Sequence, residues 1–373
     1  MRAHYKETIT ALLSAACIAV NGPHPYDIQV HDERFYRRFL RDGRLGIGES
    51  YMDGWWDCAD IDTFIYKLLM AQKMMRMRTR NIGFVSTALL SKLLPAGSLY
   101  RSTEIAEKHY DLDNDLFAAT LDPYMQYTCG YWPEGVTNLN AAQEAKLDLI
   151  CRKLQLKPGM SLLDVGCGWG GLSKFAAERY GAKVTGISVS KEQLAFAKNL
   201  CKGLDVDFRL LDYRNLNEQF DRIVTVGMIE HVGKQYYRGF MQKMKGALKE
   251  DGIYLLHTIG SNHSHFSSPW LEKYIFPGCF SPSIAHLGHA IDDLFVMEDW
   301  HNIGPHYYKT LIGWHENFEA AWPTLSRKYD ERFYRMWKFY LLSMAPGFKA
   351  RVGQLWQIVL THKGLQPGYS TIR

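Results

Sequence analysis

The stretch LLDVGCGWGG, residues 162–171, decides the fold of this chain. Its apolar run reaches Asp164, and a turn that contains Gly166 and Gly168 follows directly. Glycine has no Cβ atom, so a glycine-rich turn lets the backbone approach a ligand closely. Because a helical pattern follows the turn, the stretch predicts a strand, a tight turn and a helix that together bind a nucleoside-like ligand.

Apolar runs rich in β-branched residues alternate with helical patterns from residue 162 to residue 260, which is typical of a parallel sheet. We predict strands over residues 161–166, 183–189, 205–211, 221–226 and 252–259. Helices are predicted to begin near Ala141, Gly170, Ser190 and Tyr236. Two later strand-like runs, residues 295–304 and 355–363, are predicted to complete a seven-stranded, mostly parallel α/β sheet with helices on both faces.

The first hundred residues lack this alternation and are predicted to form a smaller, mainly helical domain. The larger domain is then residues 101–373, with a helical lid around residues 262–350. Residues 63–103 contain seven basic side chains and no acidic one, interleaved with Met and Leu. Such a basic amphipathic segment can lie on an anionic lipid surface. A solvated basic linker is the alternative interpretation.

Composition excludes several classes of protein. Of the 373 residues, 47% are hydrophobic and 22% are charged, which is unlike a disordered or low-complexity chain. A net charge of +5 is too small to indicate a nucleic-acid partner. The seven cysteines form no CxxC pair, so we expect neither a bound metal nor a disulfide framework, and the cytoplasm is the expected compartment. The apolar residues 11–20 are interpreted as a short helix rather than a signal peptide.

The acidic residue two positions before the first glycine narrows the choice of ligand. A dinucleotide-binding fold is one alternative for a glycine-rich turn after a strand. The pattern hxDhGxGxG at residues 162–170 is instead similar to motif I of class I S-adenosylmethionine (AdoMet) methyltransferases. That resemblance implies a Rossmann-like class I methyltransferase fold with AdoMet at this turn.

The ends of the next two predicted strands carry further candidates for contact with AdoMet. Methyltransferases of this class usually place Asp or Glu after the second strand to hold the ribose. Here the run Ser-Val-Ser at residues 188–190 stands in that position, so hydroxyl groups and Gln193 are expected to serve instead. After the third strand, Tyr213 and Arg214 occupy the position where an aromatic ring can cover the adenine.

Glu230 follows the fourth predicted strand, and His257 lies near the end of the fifth. Ligands of open α/β sheets bind at the carboxyl ends of the strands, so both side chains are expected near the glycine turn. Taken singly, Glu230 could be an acid at a helix start and His257 a core histidine. Their coincidence with the glycine turn favours a catalytic role.

Several longer stretches together resemble cyclopropane-fatty-acyl-phospholipid synthases nearly from end to end. They are NGPHPYDIQV, GIGESYMDGWW, HYDLDNDLF, LDPYMQYTCGYW, LLDVGCGWGG, GMIEHVG, LLHTIG, KYIFPG and EDWHNIG. The resemblance implies an enzyme that transfers a methyl group from AdoMet to the cis double bond of a phospholipid acyl chain and closes a cyclopropane ring. An alkene is a weak nucleophile, so the reaction needs a dry pocket and a base that removes a proton from the new methyl group.

The same resemblance implies a bound bicarbonate ion as that base. Its holders would be Cys129, Glu230, His257, Ile259 and Tyr307, with Tyr308 as the alternative to Tyr307. The implied AdoMet contacts are Tyr127, Thr128, Leu162, Leu163, Asp164, Val165, Gly166, Cys167, Gly168, Trp169, Gly170, Ser188, Val189, Ser190, Gln193, Tyr213 and Arg214.

One departure from the family pattern bears on the mechanism. Some bacterial members carry a cysteine in a C-terminal YLxxCA stretch, where this chain has Met344. A thioether cannot act as a thiolate nucleophile, which excludes covalent catalysis at that position.

The implied partner is an unsaturated phospholipid in a bilayer, reached by peripheral contact that favours anionic lipid at the inner face of the cytoplasmic membrane. No nucleic acid is expected, and a homodimer is. Three alternatives stay open at this point. A related enzyme could leave a methyl branch on the acyl chain, or could methylate the nitrogen of a small molecule. The third is a non-enzymatic lipid-binding protein of the same fold, against which the presence of Glu230, His257 and Cys129 argues.

Overall fold

A computed structural model describes residues 2–79, 114–264 and 268–373. The helices of these residues are α1 (Arg2–Ala15), α2 (Arg34–Met52), α3 (Ile61–Thr79), α4 (Asn114–Thr120), α5 (Leu139–Lys153), α6 (Gly171–Tyr180), α7 (Lys191–Leu200), α8 (Tyr237–Ala247), α9 (Pro269–Tyr274), α10 (Ile284–Ile291), α11 (Gly304–Leu325) and α12 (Glu331–Lys349). The strands are β1 (Gln29–Val30), β2 (Trp56–Asp57), β3 (Ser161–Val165), β4 (Lys183–Ser188), β5 (Val206–Leu210), β6 (Phe220–Val226), β7 (Leu248–Ser261), β8 (Val296–Asn302) and β9 (Gly353–Thr361).

The chain forms two compact units. The smaller consists of Met1–Asp113, His265–Gly278 and His315–Val352, and the larger of Asn114–Ser264, Cys279–Trp314 and Gly353–Arg373. The segment predicted as a lid, residues 262–350, contributes to both units. The predicted domain boundary at residue 100 lies outside the described residues.

The larger unit contains the predicted seven-stranded sheet, in the order β5-β4-β3-β6-β7-β9-β8. The strands from β5 to β7 are parallel, and β9 runs antiparallel to both of its neighbours. The fold class predicted from the sequence is therefore confirmed. The strand boundaries differ from the prediction by only one or two residues, except that β7 begins at Leu248 and reaches Ser261.

Alternate residues of the central strands build a core on each face of the sheet. Leu163 and Tyr254 pack with Phe240 of α8 on one face, while Leu162 and Leu255 pack with α5 and α6 on the other. Successive side chains of a strand point to opposite faces of the sheet. The sequence of a strand that is covered on both faces is therefore a continuous apolar run. The glycine turn after β3 is thus anchored by a strand that is buried on both faces.

Aromatic packing holds the smaller unit together. The ring centroid of Phe339 in α12 lies 5.5 Å from that of Tyr51 and 5.0 Å from that of Trp270. Arg335 donates to the backbone oxygens of Tyr51 and Trp56. Among the described residues, no helix has the length and apolarity needed to cross a membrane.

Candidate active site

The glycine turn joins the end of β3 to the start of α6. Gly168 and Gly170 have φ angles of +53° and +83°, a region that side chains with a Cβ atom rarely adopt. A Cβ atom at Gly170 would lie 2.8 Å from atoms of Ala197 and Phe208, whereas one at Gly168 would meet no atom within 4 Å. The turn therefore packs against the protein at Gly170 and leaves open space at Gly168.

Asp164 is buried at the end of β3, and its Oδ2 accepts a hydrogen bond of 2.8 Å from Ser173 Oγ. Burial raises the pKa of Asp164 to about 6, although the Ser173 hydroxyl and the Lys146 ammonium oppose this shift. Motif I thus brings a carboxyl group to the carboxyl edge of the sheet, beside the turn.

Lys146 is a fully buried residue that the sequence analysis missed. Its ammonium donates to Gln126 Oε1 and, at 2.9 Å, to Thr128 Oγ1. Burial lowers the pKa of Lys146 to about 8. The side chain of Gln143, one helical turn earlier, donates to the backbone oxygen of Thr128 at 2.8 Å. Together these two α5 residues hold the segment that includes Tyr127 and Cys129.

A signal for this pair was present in the sequence. Gln143, Lys146, Ile150 and Lys153 follow one another at spacings of three and four residues, so they share one face of α5. All four are buried. A polar residue on the apolar face of an amphipathic helix is buried, and burial costs free energy unless the polar group has a hydrogen-bond partner. Such a residue therefore predicts a buried hydrogen bond.

Replacing Lys146 by methionine is expected to lower the free energy of unfolding by about 2 kcal/mol, because the buried Gln126 Oε1 and the part-buried Thr128 Oγ1 lose their donor. The exposed Lys157, changed to methionine, is the matched control. Urea unfolding measures both variants. Equal effects of the two substitutions would show that Lys146 does not hold this segment.

The candidates for the ribose and adenine lie at the carboxyl ends of β4 and β5. The Ser188 hydroxyl accepts from the backbone N of Ser190 at 3.1 Å, and the Ser190 hydroxyl caps α7 by accepting from the backbone N of Gln193 at 3.3 Å. Val189 is exposed. Each serine oxygen accepts within the turn, which leaves its proton available for donation.

Tyr213 and Arg214 begin a short 3-10 helix after β5. The Tyr213 ring packs edge-on against Phe240 with 4.9 Å between centroids. The Arg214 guanidinium is paired with Asp212 at 2.6 Å, which lowers the pKa of that carboxyl. Arg214 therefore helps to shape the turn that carries Tyr213.

Aromatic rings gather next to the glycine turn. The Tyr127 ring lies 5.1 Å from Phe117 and 5.2 Å from Trp314. Trp169, inside the turn, contacts Phe117 at 4.8 Å and donates its indole N–H to Asn114 Oδ1 at 2.8 Å. The structure thus brings the predicted AdoMet contacts Tyr127 and Trp169 together around one phenylalanine.

Glu230 lies just after the end of β6, and His257 lies within β7 at the level of that end. His257 is opposite Val226, the last residue of β6, so the end of β7 extends beyond β6. Glu230 Oε1 accepts from the backbone N of Ile259 at 2.7 Å. Glu230 Oε2 and His257 Nε2 are buried and have no hydrogen-bond partner among the described residues. The Ile259 N–H, predicted to contact an anion, is used here to orient Glu230.

Burial dominates the electrostatics of this pair. It raises the pKa of Glu230 to about 7, against the effect of the Ile259 N–H, and it keeps the pKa of His257 well below its ordinary value. Buried Lys146 and Lys153 lower the pKa of His257 further. At neutral pH the imidazole is therefore neutral, and the carboxyl group can gain or lose a proton.

Cys129 is fully buried, and burial raises the pKa of its thiol. Thr310 of α11 accepts at 3.0 Å from the backbone N of Gly130 and also from the indole N–H of Trp132. Thr310 was missed because its partners lie about 180 residues away.

Tyr307 is three residues before Thr310 and shares its helix face, whereas Tyr308 does not. Tyr307 also packs edge-on against Trp314 at 5.9 Å.

The raised pKa values predict how stability changes with pH. Glu230 and Asp164 bind protons more tightly in the folded protein than at their ordinary values of 4.5 and 3.8. Their contribution to the free energy of unfolding is therefore present below about pH 4 and is lost as pH rises to about 7. Glu230→Gln removes the contribution of Glu230 to this pH dependence. The free energy of unfolding of the wild type minus that of the variant should therefore fall from pH 4.5 to 7. Urea unfolding across that range measures it, and a constant difference would contradict it.

A seven-stranded sheet with one reversed strand, and a glycine turn beside an acidic strand end, define a class I AdoMet-dependent methyltransferase fold. The family model described as mycolic acid cyclopropane synthetase matches residues 98–358, which is well over half of the chain. The chain belongs to this family. The resemblance inferred from the sequence motifs is thereby confirmed.

Relatives and solved structures agree with this assignment. The cyclopropane-fatty-acyl-phospholipid synthase of Escherichia coli K12 is 47% identical over 365 residues, 97% of this chain and 94% of that protein. The cyclopropane synthase MmaA2 of Mycobacterium tuberculosis is 31% identical, with a TM-score of 0.64 over 71% of this chain and 99% of that chain. The mycolic acid cyclopropane synthase CmaA1, complexed with SAH and CTAB, is 32% identical, with a TM-score of 0.64 over 68% of this chain and 95% of that chain.

Proposed function

We propose that this protein transfers a methyl group from AdoMet to the cis double bond of an unsaturated phospholipid acyl chain and closes a cyclopropane ring. The observation that carries the proposal is the pair of buried atoms, Glu230 Oε2 and His257 Nε2, without partners among the described residues. They lie at the same edge of the sheet as the glycine turn. Similarity to the Escherichia coli synthase over nearly the whole chain supports the substrate class.

AdoMet, when bound, supplies an electrophilic methyl group. We assign its binding to the turn around Gly168, where a Cβ atom would meet no protein atom, together with residues 188–190 and Tyr213. Tyr127 and Trp169 offer aromatic faces beside this turn. Such faces attract positive charge, so they favour both the sulfonium group and the cation that forms on the acyl chain.

We assign a bicarbonate ion to the buried polar atoms beside the end of β6, on the basis of the two atoms there without partners among the described residues. Glu230, through its acceptor Oε2, and His257 and Tyr307, through donor groups, would hold it. Both Glu230 and His257 are buried, so an ion that they hold would be shielded from water. When bound, bicarbonate supplies a base for the proton of the new methyl group.

The residues of the chain would each take a separate part in the reaction. Glu230 can hold a proton on Oε2 near neutral pH, because burial raises its pKa to about 7. The Ile259 N–H orients that carboxyl group, and neutral His257 orients the anion. Cys129, a buried thiol, contributes its backbone and the wall of the site rather than a thiolate.

Incubation with AdoMet and vesicles of monounsaturated phospholipid tests the proposal by mass spectrometry of the lipids. We expect an acyl chain heavier by one CH₂ unit that resists mild hydrogenation. A heavier chain that still takes up hydrogen would favour a methyl branch. Unchanged lipid, with AdoMet bound, would overturn the proposal and direct the search to small amines as acceptors.

We also propose peripheral contact with anionic membrane, through the basic segment at residues 63–103. Its positive side chains are Lys67, Lys73, Arg76, Arg78, Arg80, Lys92 and Arg101. Residues 80–103 of this segment lie outside the described residues. Two copies would double the docking surface, so a homodimer at the inner face of the cytoplasmic membrane is the proposed form.

Activity on vesicles is expected to rise with anionic lipid content and to fall with salt. Attraction between basic side chains and an anionic surface decays over a Debye length, about 10 Å at 0.1 M salt. Turnover on vesicles with and without anionic lipid, at low and high salt, measures this. Activity that is indifferent to both variables would contradict the docking proposal.

A further inference from the structure

A buried glutamine lies behind the candidate anion site. Gln357 is in the middle of β9, opposite His257 of β7 on one side and His301 of β8 on the other. It is fully buried in a strand whose residues are all buried. Its Nε2 lies 3.3 Å from His257 Nδ1, and its Oε1 has no partner among the described residues. A buried amide costs free energy, so packing alone does not explain a glutamine here.

The contact with Gln357 determines which nitrogen of His257 carries the proton. An amide nitrogen can only donate, and a neutral imidazole has one donor and one acceptor nitrogen. With the Gln357 amide placed so that Nε2 faces His257, Gln357 donates to Nδ1, which makes that nitrogen the acceptor and puts the proton on Nε2. Nε2 is the nitrogen without a partner among the described residues.

Burial, reinforced by the charged groups around His257, keeps the ring neutral. Lys146 and Lys153 of α5 are buried cations that disfavour an imidazolium, and Lys153 also contacts His301 Nδ1 at 3.0 Å. Glu230 is the acidic group at the neighbouring strand end. A neutral ring with an accepting Nδ1 has a single tautomer available to it.

We propose that Gln357 is a positioning residue that holds His257 in the Nε2–H tautomer, so that the ring presents a hydrogen-bond donor to the anion beside Glu230. The part played by the anion rests on the proposed function. The tautomer itself is a property of the protein without any ligand, and it can be measured separately.

The test is ¹⁵N NMR of the full-length protein with labelled histidine, in which His257→Gln assigns the signals. The wild type should give a protonated-type shift at Nε2 and an unprotonated-type shift at Nδ1. In Gln357→Glu, measured at about pH 9 so that the buried carboxyl group is ionised, the carboxylate can only accept, and the proton should move to Nδ1. Gln354→Glu is the matched control, since Gln354 is also buried in β9 but contacts Asn302, and it should leave the His257 pattern unchanged.

Bicarbonate titration of turnover completes the experiment. Gln357→Glu should raise the half-saturating bicarbonate concentration about tenfold or more, with AdoMet affinity unchanged. An Nδ1–H pattern in the wild type, or a wild-type pattern in Gln357→Glu, would overturn the inference. The expected tautomers without any effect of bicarbonate on the wild type would support the tautomer assignment and overturn the proposed base.

Discussion

Replacing Glu230 by glutamine is expected to reduce turnover by about 10²–10⁴-fold while AdoMet affinity stays within about twofold. The amide oxygen can still accept from the Ile259 N–H, which now holds Oε1 at 2.7 Å. The amide nitrogen replaces Oε2 and can only donate, so the site loses its acceptor. Geometry is therefore kept while the capacity to take a proton is removed.

The matched control is Glu250→Gln, at an exposed carboxylate paired with Lys363. Turnover with lipid vesicles and equilibrium AdoMet binding are measured for both variants. If Glu230→Gln retained full turnover, Glu230 would not belong to the proton path. If AdoMet binding were lost together with turnover, the substitution would have disturbed the cofactor site rather than the base.

Replacing Gly171 by alanine is expected to lower the free energy of unfolding by about 3 kcal/mol or more. A Cβ atom at this first residue of α6 would lie 1.7 Å from the backbone oxygen of Tyr124. A backbone atom held in the core cannot move away as a flexible side chain would. The helix start and the Tyr124 segment must therefore separate.

Gly168→Ala separates stability from ligand binding. Its Cβ atom meets no protein atom within 4 Å, so only the positive φ angle should cost stability, about 1 kcal/mol. The same Cβ atom projects into the space assigned to AdoMet, so AdoMet affinity should fall. Urea unfolding and AdoMet titration of both variants test this contrast, and similar losses of stability in the two would contradict it.

Local signals in the sequence were sufficient to predict the sheet. The apolar periodicity of each strand and helix is visible in a short window of the sequence. The turn after Asp164 is also visible, because the motif contains the glycines whose conformations it requires. Glu230 and His257 could be placed at one edge because parallel strands bring their carboxyl ends together. The motif resemblance then supplied the expected roles.

The supporting residues of the site could not be predicted in the same way. Thr310 and Gln357 act through partners that are 180 and 100 residues distant, which no local pattern reveals. The bond from Ile259 to Glu230 arises because β7 continues past the end of β6, a register that only the folded sheet defines. Gln143 and Lys146 had a visible signal, as polar residues on the apolar face of α5.

The most direct test of ring closure uses AdoMet with three deuterium atoms on its transferred methyl group. If a base removes a proton from that new methyl group, the lipid product keeps two of the three deuterium atoms and resists mild hydrogenation. The account predicts this result on monounsaturated phospholipid vesicles. A product that keeps all three deuterium atoms and still takes up hydrogen would contradict it, because the proton would then have left a neighbouring carbon.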